Sequence, residues 1–185
     1  MSQSTIPPTI MLDACVLINL LASGEADDIL RSSGKLCRIC VAVKNETLYL
    51  RSDDPQEETF EPAQFNSLIQ SDVLSVCDIE GDSEALLYVD RASKLDDGEA
   101  MSLAIAEARG YILATDDRKA RRIFLEPAGD SSRLTSSSEL IRNWSESQSI
   151  SSSKLKTVLM SIRYKANFFP PRRDANFKWW NDSCV

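Results

Sequence analysis

Hydrophobic and polar positions follow one another along this chain in a regular order of strand-like and helix-like segments. Short apolar runs predict buried strands at residues 6–12, 36–43, 73–79, 111–115 and 133–135. Apolar residues at helical spacing predict helices at residues 16–21, 25–31, 44–50, 63–70, 82–94, 97–109, 118–125 and 139–144. Strands that alternate with helices favour a parallel sheet covered by helices on both faces. The predicted fold class is therefore α/β, in three α/β/α layers around a central parallel sheet.

The end of the chain predicts a helical extension to this fold. Serine-rich residues 145–153 predict a linker, and residues 154–168 predict a basic amphipathic helix. We therefore expect a domain at residues 1–144 and an extension at residues 145–185. The pair Trp179-Trp180 suggests that this extension packs on an apolar surface of the domain. The alternative is that the two rings stack on nucleic-acid bases, since basic and aromatic residues interleave there.

Composition limits the class of protein that this sequence can form. A hydrophobic fraction of 43% in 185 residues is enough for one compact domain with a core. The longest apolar stretch, residues 12–21, is interrupted by Asp13 and Asn19 and is too short to span a bilayer. The first residues lack the basic and apolar regions of a signal peptide. We therefore expect a cytoplasmic protein without a membrane partner.

The five cysteines do not form a recognisable disulfide or zinc pattern. Cys37 and Cys40 have the C-x-x-C spacing of half a zinc site, but the sequence has no second such pair and no histidine. These two residues and Cys77 lie in strand-like segments. We expect them to be small, buried apolar side chains.

Charge is unevenly distributed along the chain. Residues 151–185 hold seven Lys or Arg and two acidic residues, whereas the whole chain has a net charge of −7. Residues 1–150 are therefore strongly acidic. Such a body repels a nucleic-acid backbone unless metal ions or local basic patches offset its charge.

Acidic residues lie where the predicted strands end. Asp13 follows the first strand, Glu46 lies just past the second, and Asp116 and Asp117 follow the fourth. Glu99 begins the helix that leads into the fourth strand. Because the carboxyl ends of parallel strands meet at one edge of a sheet, these acids from distant segments could converge there.

Each acid also has a structural interpretation. Asp13 and Asp116 could be helix N-caps, and Asp96 with Glu99 fits a variant of the capping box. Glu46 could be an ordinary solvated helix residue. Caps do not, however, require their helices to share one sheet edge, so the joint arrangement favours a site.

Clustered carboxylates suit a particular chemistry in a chain without histidine. They repel one another unless a cation binds, and Mg²⁺ and Mn²⁺ prefer oxygen ligands. Such ions polarise a phosphate oxygen and lower the pKa of a coordinated water. The adjacent basic run could contact a phosphate backbone or form a solvated helix face, and its residues are Arg118, Lys119, Arg121 and Arg122.

Four segments in order resemble the motifs of PIN-domain ribonucleases. Residues 11–20 resemble the first motif, in which a strand ends in an aspartate followed by a small residue. Residues 43–46 resemble the second motif, which supplies a glutamate. Residues 95–104 are similar to the third motif in one branch of the family, and residues 112–121 resemble the fourth. The resemblance covers residues 9 to about 142.

The resemblance implies a Mg²⁺- or Mn²⁺-dependent endoribonuclease with a PIN-like fold. By motif, Asp13, Glu46, Glu99 and Asp117 would be catalytic metal ligands, and Asp116 could share or replace the role of Asp117. Bacterial members often look like VapC-type toxins, which implies an RNA substrate, an antitoxin partner and a homodimer. The polar segment 51–61 and the extension after residue 145 have no counterpart in that resemblance.

Two other functions are compatible with the sequence. A non-catalytic PIN-like module could dock a protein or RNA partner through its acidic body or its tail. A phosphatase-like hydrolase could use Asp13 as its nucleophile, but residue 15 is Cys rather than the second Asp of the usual D-x-D pattern.

Overall fold

The central sheet has five parallel strands. The computed structural model describes residues 7–49, 60–126 and 130–184. The strand order is β3-β2-β1-β4-β5, and the strands are β1 (Thr9–Leu12), β2 (Leu36–Cys40), β3 (Leu74–Cys77), β4 (Ile112–Ala114) and β5 (Leu134–Thr135). Helices flank this sheet, and the predicted three-layer α/β/α fold is confirmed.

The helices follow the predicted order, and two of them have the predicted bounds. They are α1 (Ala14–Ser23), α2 (Ala26–Ser32), α3 (Val41–Tyr49), α4 (Phe60–Gln70), α5 (Gly81–Ala92), α6 (Asp97–Arg109), α7 (Arg118–Leu125), α8 (Ser137–Ser147), α9 (Ser152–Lys165) and α10 (Phe177–Ser183). The bounds of α6 and α7 match the predicted ones. A single 3₁₀ turn, Ser131–Arg133, precedes β5.

The core is built around β1 and α6. Ile10, Met11 and Leu12 are almost completely buried, as expected for a central strand covered on both faces. The buried part of α6 is rich in Gly, Ala and Ser, and small side chains let a helix lie close to a sheet. The helix α6 contacts β1, β2 and β4 and also packs against α5. The start of α6 is thereby held close to the carboxyl ends of the central strands.

The strand order reverses between β1 and β4. On one side β1 pairs with β2, and on the other it pairs with β4, where Leu12 lies opposite Ala114. The backbone N–H of Asp13 extends this ladder by donating to the carbonyl oxygen of Ala114 at 3.0 Å. In open α/β sheets, such a switch point leaves a crevice outside the carboxyl ends of the strands, and ligands bind there.

The boundary between β2 and α3 lies three residues earlier than predicted. The strand predicted at residues 36–43 ends at Cys40, and α3 begins at Val41. The β-branched residues of this segment made a helix start look like strand, because a short apolar run does not distinguish the two. Glu46 lies within α3, as the helical spacing of residues 44–50 predicted.

The serine-rich segment is largely helical rather than an extended linker. Its first three residues complete α8, and Ser151 caps α9 by accepting a hydrogen bond from the backbone N–H of Lys154 at 3.3 Å. Of the polar segment predicted at residues 51–61, residues 51–59 lie outside the described residues.

The carboxyl-terminal helices contact the sheet domain. The hydroxyl of Ser161 in α9 donates to the carbonyl oxygen of Ala22 in α1 at 2.7 Å. Trp180 in α10 is fully buried and makes an edge-to-face contact with Phe168, at 5.6 Å between ring centroids. The helix α10 was not predicted, since its short aromatic sequence has no clear helical period.

Two further predictions concern the cysteines and membrane-spanning helices. Cys37, Cys40 and Cys77 are buried free thiols, which confirms the prediction for them. None of the described helices combines the length and apolarity that crossing a membrane requires.

Candidate active site

Asp13 lies at the switch point, almost completely buried. Its side chain is 2% exposed and caps α1, with the N–H of Ala14 donating to Oδ1 at 2.7 Å. The hydroxyl of Thr115 donates to Oδ2 at 2.7 Å, and the thiol of Cys15 lies 3.4 Å from the same oxygen. Burial raises the pKa of Asp13, and these hydrogen bonds oppose the rise. The predicted capping role of Asp13 is therefore confirmed. The hydrogen bond from Thr115 also links Asp13 to the end of β4.

Glu46 reaches from α3 to the amino-terminal end of α6. The backbone N–H of Gly98 donates to Glu46 Oε1 at 3.0 Å. A Cβ placed on Gly98 would lie 2.5 Å from that oxygen, so the approach requires glycine. Burial raises the pKa of Glu46; the Gly98 bond opposes this, and the charges of Asp13, Asp96 and Asp97 add to it. The contact brings Glu46 into the same electrostatic environment as Asp13.

Glu99 has a strongly perturbed carboxyl group. Its pKa is raised to about 7, first by burial and then by the charges of Asp13, Asp117 and Asp96. Asp96 occupies the N-cap position of α6, but its side chain makes no capping hydrogen bond. The predicted capping box therefore lacks its aspartate half. The glutamate half is present, because a backbone hydrogen bond from Asp96 opposes the rise in the pKa of Glu99, and Glu99 also experiences the repulsion of carboxylates at the ends of β1 and β4.

Asp116 and Asp117 have different environments. Asp117 caps α7, because its Oδ1 accepts the backbone N–H groups of Lys119 and Ala120, each at 2.7 Å. The possibility that Asp116 caps this helix is therefore wrong. The carboxylate of Asp116 instead accepts hydrogen bonds from the backbone and hydroxyl of Ser137 and from the amide of Asn19, the last at 3.0 Å. Between the two, Asp117 is the residue whose charge raises the pKa of Glu99.

The residues that hold these carboxylates were not predicted. Thr115 and Ser137 are fully buried, and Asn19 is 4% exposed. A buried polar side chain needs a hydrogen-bonding partner. The sequence contained one signal of this, since Asn19 interrupts an otherwise apolar helix. Nothing local distinguished Ser137 from the other serines near it.

The basic run of α7 divides into two groups. Arg121 is half-buried, and its guanidinium donates to the carbonyl oxygens of Thr115 at 2.9 Å and Thr135 at 3.1 Å. This bond joins the ends of β4 and β5 and competes with the predicted contact to RNA. The other predicted RNA-contact residues are exposed, and they are Arg118, Lys119 and Arg122.

The donor set of this site suits a hard divalent cation. All the candidate ligands are carboxylates, the ligand type that Mg²⁺ and Mn²⁺ prefer. In Glu46 and in Asp117, one carboxylate oxygen accepts hydrogen bonds from described residues and the other accepts none from them. Within the described ranges, no three Asp, Glu, Cys or His side chains stand close enough together to share one ion. The chemistry of the donors therefore fits, and binding would require the side chains to draw together.

The fold and this crevice define a class of protein. An open parallel sheet with carboxylates at its switch point is an arrangement suited to phosphate chemistry that uses a metal ion. A family model described as a PIN domain matches residues 9–126, more than half of the chain. The chain belongs to the PIN-domain family. PIN domains are generally nucleases and usually use Mg²⁺ or Mn²⁺. A comparison with curated proteins finds no match.

Proposed function

We propose that this protein is a Mg²⁺- or Mn²⁺-dependent endoribonuclease that hydrolyses phosphodiester bonds of RNA. One arrangement carries the proposal: Asp13 and Asp117 follow the adjacent strands β1 and β4, in which Leu12 lies opposite Ala114, and the charges of both raise the pKa of Glu99. Carboxylates that repel one another in a crevice at the switch point create an electrostatic demand for a cation.

In this proposal, Asp13, Glu46, Glu99 and Asp117 would hold the metal. A bound Mg²⁺ or Mn²⁺ would polarise the scissile phosphate and lower the pKa of a water molecule. It would also favour the ionised form of Glu99, which is partly protonated near neutral pH without a cation. Asp116 would act by positioning, since its hydrogen bonds tie the end of β4 to α8.

The rest of the chain orients these ligands. Thr115 holds Asp13, the Gly98 N–H holds Glu46, and the first turn of α7 holds Asp117. The contacts to Asp13 and Glu46 oppose the rise in pKa that burial causes, because a hydrogen bond to the ionised form favours that form. A preorganised set of anions loses less side-chain entropy when it binds a cation.

Cleavage of labelled single-stranded RNA in Mn²⁺ tests the proposal. Asp13→Asn and Asp117→Asn should each abolish cleavage, because each replaces a charged ligand by a neutral amide of the same shape. Asp28→Asn is a matched control, since Asp28 is exposed on α2. Cleavage that is unchanged in both site variants would show that these carboxylates do not perform the reaction.

A non-catalytic binding module is the competing function. It is favoured by the burial of Asp13, whose two carboxylate oxygens already accept hydrogen bonds. Titration with millimolar Mn²⁺ separates the two functions. A ligand that binds the native state stabilises it. If Mn²⁺ gives no binding heat and no thermal stabilisation, the result supports the binding module.

The finer biological role is also a proposal. We infer from the resemblance to VapC-type toxins that the protein is the toxin of a toxin–antitoxin pair and acts as a homodimer. Induced expression should then arrest bacterial growth, and Asp117→Asn should not. Light scattering on the purified protein measures the oligomeric state. Normal growth with abundant active enzyme would exclude the toxin role while leaving the nuclease function intact.

A further inference from the structure

A cavity of about 1140 Å³ opens beside the candidate active site. It lies between α7, α8 and the turn formed by residues 171–176, and Asp116 contributes to its wall. Asp116 directly precedes Asp117, so the cavity begins next to the carboxylates of the site. Residues 171–176 lie beyond the segment that matches the family model.

Three of the five arginines in the wall of this cavity have no partner among the residues that the structure describes. Arg118, Arg172 and Arg173 are exposed, and none makes a hydrogen bond or ion pair with another residue of the described ranges. Arg118 comes from the start of α7, and the other two come from the turn on the opposite side. The three guanidinium groups are therefore available to a ligand that enters the cavity.

The same wall holds four carboxylates, and they belong to Asp116, Glu139, Glu146 and Asp174. Glu146 forms an ion pair with Arg142 at 2.7 Å. Asp174 accepts hydrogen bonds from the hydroxyl of Ser138 at 3.0 Å and from the backbone N–H of Asn176 at 2.7 Å. Five arginines against four carboxylates leave the wall with a net charge of +1, on a chain whose net charge is −7.

The turn that carries Arg172 and Arg173 is anchored to the domain. Asn176 is 9% exposed, accepts a hydrogen bond from Arg142 at 3.0 Å and donates to the Ser138 hydroxyl at 3.3 Å. The backbone N–H of Asp174 donates to the carbonyl oxygen of Pro171 at 2.8 Å. These contacts fix the two arginines on a defined side of the cavity.

We propose that this cavity binds the phosphate backbone of single-stranded RNA and leads it to the carboxylate site. The inference rests on the proposed nuclease function and assigns its substrate-binding groove. Arginine forms bidentate, charge-assisted hydrogen bonds with phosphate. An extended single strand can follow a cleft between a helix and a turn. Because residues 1–150 are strongly acidic, an RNA backbone would be repelled by most of the sheet domain outside this groove.

RNA binding by the full chain tests the groove. Asp117→Asn is used throughout to prevent cleavage, and fluorescence anisotropy measures affinity for labelled single-stranded RNA from 50 to 300 mM salt. Arg172→Ala with Arg173→Ala should lower affinity about tenfold or more. It should also reduce the slope of log affinity against log salt by about 1.4, since each phosphate contact on a single strand contributes about 0.7.

A matched double variant controls for net charge. Lys94→Ala with Lys178→Ala removes the same charge from exposed positions outside the cavity. It should change affinity by about twofold or less and leave the salt slope intact. An equal loss of RNA affinity in both double variants would contradict the proposed RNA-binding groove. Preferential binding of a polyglutamate peptide over RNA would contradict it as well. Unchanged melting temperatures would confirm that each variant folds.

The groove and the nuclease function can fail separately. If the arginine variants bind RNA more weakly while the unsubstituted chain cleaves no RNA, the RNA-binding groove is supported and the nuclease function is contradicted. If cleavage depends on Asp117 but the salt slope is the same in the arginine variants, the reaction stands and the groove is wrong.

Discussion

Gly98 and Glu46 join the start of α6 to a candidate ligand that is carried by a different helix, α3. The N–H of Gly98 donates to Glu46 Oε1 at 3.0 Å, and a Cβ at this position would lie 2.5 Å from the same oxygen. Because a glutamate carboxylate is the mobile end of its side chain, an added methyl group would displace Glu46 rather than unfold α6.

Gly98→Ala should therefore lower activity without lowering stability. Alanine favours the helix by about 1 kcal/mol relative to glycine, whereas loss of a positioned ligand should slow cleavage by about tenfold or more. Cleavage rates and urea denaturation measure the two effects. In a Glu46→Gln background, Gly98→Ala should have little further effect on cleavage. Equal losses in both backgrounds would show that Gly98 acts independently of Glu46.

Thr115→Val should destabilise the protein and weaken the site. The Thr115 hydroxyl donates to Asp13 and also accepts the N–H of Asp117 at 3.1 Å. Removing it leaves buried polar groups without a partner, at a cost of about 1–3 kcal/mol in the free energy of unfolding. Thr157→Val on α9 is the control, since Thr157 is exposed. A loss no larger than that of the control would contradict this role.

Without metal, Glu99→Gln should raise the melting temperature. The substitution removes a charge that burial and neighbouring carboxylates disfavour. Millimolar Mn²⁺ should stabilise the unsubstituted protein more than the variant, because the variant lacks one ionised ligand. Thermal unfolding with EDTA or with Mn²⁺ measures both effects. Equal stabilisation of the two proteins by Mn²⁺ would remove Glu99 from the proposed ligand set.

The ion pair between Glu84 and Arg109 should make stability depend on acid pH. Hydrogen bonds from Arg109, at 2.7 and 2.8 Å, lower the pKa of Glu84 from 4.5. The folded state therefore binds this proton less readily than the unfolded state. The stabilisation is complete well above pH 4.5 and is lost as the pH falls through the depressed pKa. Glu84→Gln should flatten this part of the stability profile, and an unchanged profile would assign the acid sensitivity elsewhere.

Trp180→Ala should destabilise the folded chain by about 3–5 kcal/mol, because a fully buried tryptophan is removed. Chemical denaturation measures the loss. Lys178→Ala, an exposed substitution on the same helix, should change stability by less than about 0.5 kcal/mol. Reduced RNA binding with unchanged stability would instead support base stacking by the tail.

Local sequence patterns predicted most of the fold, but not the contacts that define the site. The bounds of α6 and α7 follow from helical periodicity and cap residues, which are local properties. The contact of Glu46 with Gly98 depends on β2 ending at Cys40, and the apolar sequence there did not mark that boundary. The sequence also did not decide whether Asp116 or Asp117 is the main candidate ligand, because that choice depends on which of them caps α7.

The arginine-lined cavity could not be predicted for a different reason. Arg118 and Arg172 are brought to one cavity only by the packing of distant helices. In the sequence, the basic tail and the basic run of α7 were separate features. A charge pattern in one dimension does not show which cations share a surface.

The carboxylates of Asp13 and Asp117 each begin a helix as well as contributing to the candidate site. Substitutions at these two positions are therefore limited by the need to cap a helix, even in a protein that is no longer selected for hydrolysis. Asn, Ser and Thr can replace Asp at an N-cap with little loss, whereas Ala or Leu costs about 0.5–2 kcal/mol. A descendant that had lost the reaction would therefore be expected to keep capping residues at both positions, and so to preserve the outline of the site in an inactive protein.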